Sequence, residues 1–178
     1  YTAVIPIAGD QVTSDIAVAL RTPTQAAETI KIAHATAITK MANANDFIEV
    51  PSVNERPGRK IPKKALSEVV EARYEELFTL IQAEIRRSGL EDLIAAGMVL
   101  TGGAVQVDGV IDLAEEVFKM PVRLGTPQHV RGPREVVANP MNATGVGLLL
   151  YGQLQQGEHH NVRHHRFNDG VKGIWQRM

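Results

Sequence analysis

The longest unbroken pattern in the chain runs from about Lys63 to Ser88. Leu66, Val69, Val70, Leu77, Leu80, Ile81 and Ile85 recur on it with the 3.6-residue period of a helix, and Gly89 follows as a C-cap. A helix with one apolar stripe must lie against a body, and the flanking segments limit what that body can be. Tyr1 to Ala8 is short and rich in β-branched residues, which predicts a strand. A helix from about Gln11 to Leu20 follows, with Asp10 or Thr13 as cap and Val12, Ile16, Ala19 and Leu20 as its stripe. Thr22 as N-cap and Pro23 as first residue begin a second helix, to about Thr39, with Ala27, Ile30, Ala37 and Ile38 inside. Phe47, Ile48 and Val50 suggest a short strand, and Arg56, Arg59, Lys60, Lys63 and Lys64 form a basic cluster around a hairpin. Beyond the long helix come a strand over Gly97–Leu100, a tight turn over Thr101–Ala104 and a helix over Gly109–Phe118. A strand over Pro121–Leu124 and a helix over Asn139–Gln153 follow. The order is α/β, an α-rich insert, then α/β again, with a polar, histidine-rich tail from Gln155 that reads as a linker.

Composition removes several functions. There is no cysteine, hence no disulfide, thiolate nucleophile or cysteine-based zinc site. With 19 Lys+Arg against 20 Asp+Glu the net charge is -1, which argues against a general nucleic-acid binder. No apolar run approaches the ~18 residues of a membrane span, and the absence of a signal-peptide pattern favours the cytosol. No Ser–His–Asp spacing, HExxH or P-loop is present.

Five features could carry chemistry or binding. Val99 to Ala104 (VLTGGA) is a strand ending in a double glycine, where backbone can approach a ligand closely, although an ordinary tight turn has the same sequence. Glu28 and Lys31 stand three apart on one helical face, either as a solvated ion pair or as a carboxylate and an ammonium offered to ribose hydroxyls. Glu71, Arg73, Tyr74, Glu75 and Glu76 on the long helix form either a solvent stripe or a peptide-binding face. In the tail, His159, His160, His164 and His165 could hold zinc only if helical. Val171, Ile174, Trp175 and Met178 follow at helical spacing opposite Lys172 and Arg177, which opens an amphipathic helix of the membrane-surface kind or a terminal helix docked on the body.

Together these segments resemble a known family. TPTQAAETIKIAHATA is similar to the AExIK helix of bacterial actins, and VLTGGAVQVDGVIDLAEEVF to the adenosine loop and helix of the actin, Hsp70 and sugar-kinase superfamily. IPIAGDQVTSDIAVALRTP, VPSVNERPGRKIPKKALSEVVEARYEEL and MPVRLGTP narrow the resemblance to the cell-division FtsA family. It implies an α/β, actin-like (ribonuclease H-like) domain II, with flanking helices on the sheet of subdomain 2A and a smaller inserted α/β subdomain 2B. Subdomain 2A would take residues 1–21 and 93–154, 2B residues 22–92, a linker 155–169, and the start of a membrane-targeting helix 170–178. The family is a scaffold that binds ATP with magnesium, polymerises like actin and recruits later division proteins. It tethers the FtsZ ring to the inner face of the cytoplasmic membrane at the septum.

By the same resemblance, Gly102, Gly103 and Ala104 would line the adenosine pocket, and Glu28 and Lys31 would reach ribose and adenine. Arg73 and Glu76, with Tyr74 and Lys64 beside them, would grip the FtsZ C-terminal peptide, and Val171, Ile174 and Trp175 would begin the membrane helix. Arg73→Glu is expected to abolish peptide binding and leave the fold intact. Ala35 stands where relatives often carry glycine. The phosphate loops and subdomain 1C would precede Tyr1, so the chain alone is expected to bind ATP weakly or not at all and to be inactive as an ATPase. The alternative of the same superfamily is a phosphotransferase or chaperone ATPase.

Overall fold

The computed structural model describes residues 1–52 and 57–156. It divides into two compact units, Tyr1–Gly125 and Thr126–Met178. The first contains α1 (Gly9–Ala19), α2 (Thr24–His34), β1 (Phe47–Val50), β2 (Arg59–Pro62), α3 (Lys63–Ser88), β3 (Met98–Leu100), α4 (Val110–Phe118) and β4 (Val122–Leu124). β1 and β2 form an antiparallel pair with Ile48 opposite Ile61, while β3 and β4 pair in parallel with α4 as the crossover between them. A parallel connection needs such a crossover, and the sequence from Gly109 supplies it.

The long helix has the predicted bounds. Gly89 ends it in the left-handed conformation at φ 69°, with its N–H on the Arg86 carbonyl. Leu66, Val70, Tyr74 and Phe78, each four residues after the last, are its buried stripe. They join Val12 and Ile16 of α1, Ala27 and Ile30 of α2, and Val110, Leu113 and Phe118 of α4 in one core. The Phe78 ring lies between those of Tyr74 and Phe118, with centroids at 5.9 and 5.3 Å. Leu80, expected inside, is 39% exposed.

Four expectations fail, two of them because a distant partner decides. Tyr1 to Ala8 is not a strand: Val4 is 90% exposed, and these residues have no ladder partner among the described residues. α2 stops at His34 rather than near Thr39, because Thr36 bridges Asp108 and the Ala37 N–H donates to the Asp108 carbonyl at 2.8 Å. Ala35 and Ala37 are still buried, but outside the helix, Ala35 in extended chain and Ala37 at a bend. Thr22 does not cap α2, since its hydroxyl donates to the Pro51 carbonyl at 2.8 Å. Neither Asp10 nor Thr13 caps α1, which starts at Gly9.

In the second unit α5 (Arg134–Val137) precedes a 3₁₀ turn over Pro140–Asn142. Asn139 caps that turn by accepting the Met141 N–H at 2.9 Å. A final helix, α6, begins at 143, later than expected, and is described to residue 156. Among the described residues no helix is long and apolar enough to cross a membrane.

Candidate functional site

Two sets of side chains meet at α1, one at its first residue and one halfway along. At the start, the Lys31 ammonium donates to Glu28 Oε2 at 2.7 Å, to Thr13 Oγ1 at 2.8 Å and to the Gly9 carbonyl at 3.1 Å. An ammonium has three N–H groups, so Lys31 is fully engaged. The Thr13 hydroxyl donates to Glu28. Burial alone would push the Glu28 carboxyl up, but the hydrogen bonds from Lys31 and Thr13 and the Lys31 charge outweigh it and hold it below its ordinary value. The Lys31 side chain is 10% exposed and that of Glu28 42%, so Lys31 anchors the pair and Glu28 faces outward.

The double-glycine turn reaches the same point. A Cβ on Gly9 would sit 3.6 Å from the Ala104 Cβ and 3.7 Å from Lys31 Nζ. Gly102 has φ +104°, yet a Cβ there would meet nothing within 4 Å, so its backbone angle rather than space requires glycine. Lys31 of α2, which carries Glu28 with it, and Ala104 of the glycine turn, some seventy residues apart, thus meet at Gly9. The sequence offered Thr13 only as a cap for the first helix and gave Gly9 no role in a site; the one signal for Gly9 was its place between a β-rich segment and a helix.

Halfway along α1, Arg73 of α3 meets Asp15. Its Nε and Nη2 donate to the two Asp15 oxygens, Nη2 at 3.0 Å, and Nη1 donates to Glu76 Oε2 at 2.6 Å. The hydrogen bond to Asp15 raises the guanidinium pKa further, so Arg73 is always charged. Asp15, Val18, Ala19, Val69, Ala72, Arg73 and Glu76 line an open groove of about 350 Å³ between α1 and α3. Arg73 is therefore no unattached surface charge, and Arg73→Glu would break its pairing with Asp15. Lys64 is exposed but nine residues earlier on α3, roughly 13 Å along the axis. Glu71 is turned away, accepting the Thr39 N–H at 3.1 Å and the Thr39 hydroxyl.

Tyr74 is a second correction. It is 2% exposed and cannot belong to a peptide-binding surface, because the α3 stripe that carries Leu66, Val70 and Phe78 carries it into the core. Its hydroxyl donates to the Ala104 carbonyl at 2.6 Å, tying α3 to the glycine turn. Burial pushes the phenol up to about 12. The raised value means the folded state favours the neutral phenol, so this stability is full below pH ~10 and is lost as pH rises toward ~12, by about 3 kcal/mol in all. Phenolate absorbance at 295 nm in the wild type minus Tyr74→Phe should titrate near 12; a difference titrating near ~10 would remove this placement of the ring.

The histidine cluster at 159–165 and Val171, Ile174 and Trp175 lie outside the described residues, as does Arg56 of the basic cluster.

A family model described as cell division protein FtsA matches residues 1–147. The chain is 63% identical over 158 residues to cell division protein FtsA of Pseudomonas aeruginosa, covering 89% of this chain and 38% of that one. Against FtsA of Escherichia coli K12 the identity is 43% over 160 residues, 86% of this chain and 38% of the other. FtsA of Neisseria meningitidis is 37% identical over 177 residues, 96% and 43%. The chain thus spans about two fifths of the length of the relatives it matches. A crystal structure of MreB5 from Spiroplasma citri bound to AMPPNP matches with TM-score 0.67 at 16% identity, over 88% of this chain and 47% of that chain, and a second, bound to ADP, also matches at 0.67. The fold is therefore α/β and actin-like, and the chain belongs to the FtsA family of cell-division proteins.

Proposed function

We propose that this chain supplies the adenosine side of an ATP site and the FtsZ-binding face of a cell-division scaffold. The observation that carries the reading is the meeting at Gly9 of Lys31, which holds Glu28, and Ala104, which follows the double glycine. A half-exposed carboxylate accepts ribose hydroxyls, and glycine backbone lets an adenine lie against the chain. Lys31, with its donors committed, positions Glu28 rather than touching the nucleoside. Magnesium would arrive on the phosphates of ATP.

The α1–α3 groove, with Arg73 and Glu76 at its edge, would take the C-terminal peptide of FtsZ, and Lys64 would act on it only at long range. The intact scaffold would self-associate into filaments, recruit later division proteins and hold the FtsZ ring at the inner face of the cytoplasmic membrane, at the septum, through Val171, Ile174 and Trp175. In this reading subdomain 2A comprises 1–21 and 93–154 and 2B comprises 22–92. The packing of α1 chiefly on α2 and α3 favours counting α1 with 2B.

The test is a titration of the isotopically labelled chain with ATP, followed by NMR. Amide shifts should concentrate at Gly9, Glu28 and Gly102 to Ala104, and Glu28→Ala should weaken them about tenfold, the cost of one charge-assisted hydrogen bond. Shifts centred elsewhere, or unaltered by Glu28→Ala, would overturn the nucleoside assignment.

A further inference from the structure

Asp15 lies outside the proposed nucleoside site and holds Arg73, the one cation among the described residues that line the groove. Arginine has five N–H groups in a planar fork. Asp15 takes two of them side-on, through Nε and Nη2, and Glu76 takes one on Nη1. The two that remain lie one on Nη1 and one on Nη2, on or beside the edge that receives a carboxylate end-on.

The exposures separate the two acids. The Asp15 side chain is 25% exposed and shares a two-point contact, while Glu76 is 52% exposed and makes a single one. Glu76 is thus the member that can turn away toward a cation, and Asp15 the member that stays. Against one guanidinium the two carboxylates leave a local charge of -1, so a ligand carrying only acids gains no long-range attraction. Val18, 78% exposed, and Ala19, Val69 and Ala72 offer an apolar floor beside these charges. The matching ligand is a peptide that sets an acidic and a basic side chain around an apolar one.

We propose that Asp15 is a positioning residue for peptide recognition: it clamps the Arg73 guanidinium side-on, so that its outer Nη1–Nη2 edge is presented to a carboxylate of the peptide. The proposal rests on the reading of this groove as the FtsZ-tail site. Without the clamp a guanidinium on a flexible stem must be ordered at the moment of binding, and that ordering reduces affinity.

The experiment uses the whole 178-residue chain and the labelled C-terminal peptide of Pseudomonas aeruginosa FtsZ, together with the same peptide carrying amides in place of its carboxylic side chains. Asp15→Asn should weaken binding of the natural peptide about tenfold and leave the already weaker amide peptide unchanged within about twofold. A general loss of structure would weaken both alike. Arg73→Lys keeps the charge beside Asp15 but lacks the fork, so it should bind the natural peptide as weakly as Asp15→Asn, even if the Asn variant folds poorly. Equal affinity of either variant and wild type, with Arg73→Gln abolishing binding, overturns the role of Asp15 and leaves the groove assignment standing. Binding that ignores Arg73→Gln, or no binding to wild type, overturns the groove assignment and the role of Asp15 with it.

Discussion

Gly97→Ala should lower the stability of the Tyr1–Gly125 unit by roughly 3 kcal/mol or more, the scale of a buried clash that the backbone must absorb. Gly97 has φ +91°, and a Cβ on it would sit 2.2 Å from the Pro121 carbonyl oxygen and 3.1 Å from its carbon. Both are backbone atoms, so no side chain can swing aside. The same carbonyl accepts the Met98 N–H at 2.9 Å, immediately before the paired residues Met98 and Val122. The added methyl therefore strains the backbone and opens the β3–β4 pairing at its first bond. Gly102→Ala is the control. Its φ of +104° is equally unfavourable to alanine, but the new Cβ would touch nothing, so only the conformational cost of about 1–2 kcal/mol remains. Urea unfolding of the two variants, read as midpoint shifts at a constant slope, compares them directly. Equal shifts would mean that β3 and β4 do not lie in this register.

The same contrast between local and distant causes decides what could be read in advance. α3 was legible from Lys63 to Gly89 because period, length and a left-handed glycine stop are all local. The β1–β2 hairpin was legible for the same reason. The end of α2 was not, since the residues that break it, Ala35 to Ala37, are held by Asp108, more than seventy positions away. Tyr74 was misplaced although its spacing from Leu66, Val70 and Phe78 is four and its multiples. Its polar tip and its neighbours Arg73 and Glu75 suggested a surface, whereas the hydroxyl finds its partner in Ala104, thirty residues on. The candidate nucleoside residues of α2 and the glycine turn could be picked out by residue type, but Gly9, where Lys31 and Ala104 meet, and Asp15, which meets Arg73 from 58 residues away, are visible only in three dimensions.

Arg73→Glu should act on both stability and binding, and a charge swap separates the two. The substitution places a third carboxylate between Asp15 and Glu76 and leaves Asp15, three-quarters buried, without its cation. Exposed pairs are worth up to ~1 kcal/mol and fully buried ones ~3–5 when broken, so a loss of about 2 kcal/mol is expected for this partly buried pair. Combining Arg73→Glu with Asp15→Arg restores opposite charges between α1 and α3 and should return at least half of that loss, about 1 kcal/mol. The cation then stems from α1 rather than α3, and Glu76 no longer has an arginine three residues before it on its own helix. Affinity for the FtsZ peptide should therefore remain at least about tenfold below wild type in the swapped protein. Thermal unfolding and peptide anisotropy on the three proteins give the two quantities independently. Were the swap to restore binding along with stability, the groove would need only a net charge between α1 and α3, and the end-on edge of Arg73 would not be the receptor. Were it to restore neither, the Asp15–Arg73 contact would not be what joins the two helices.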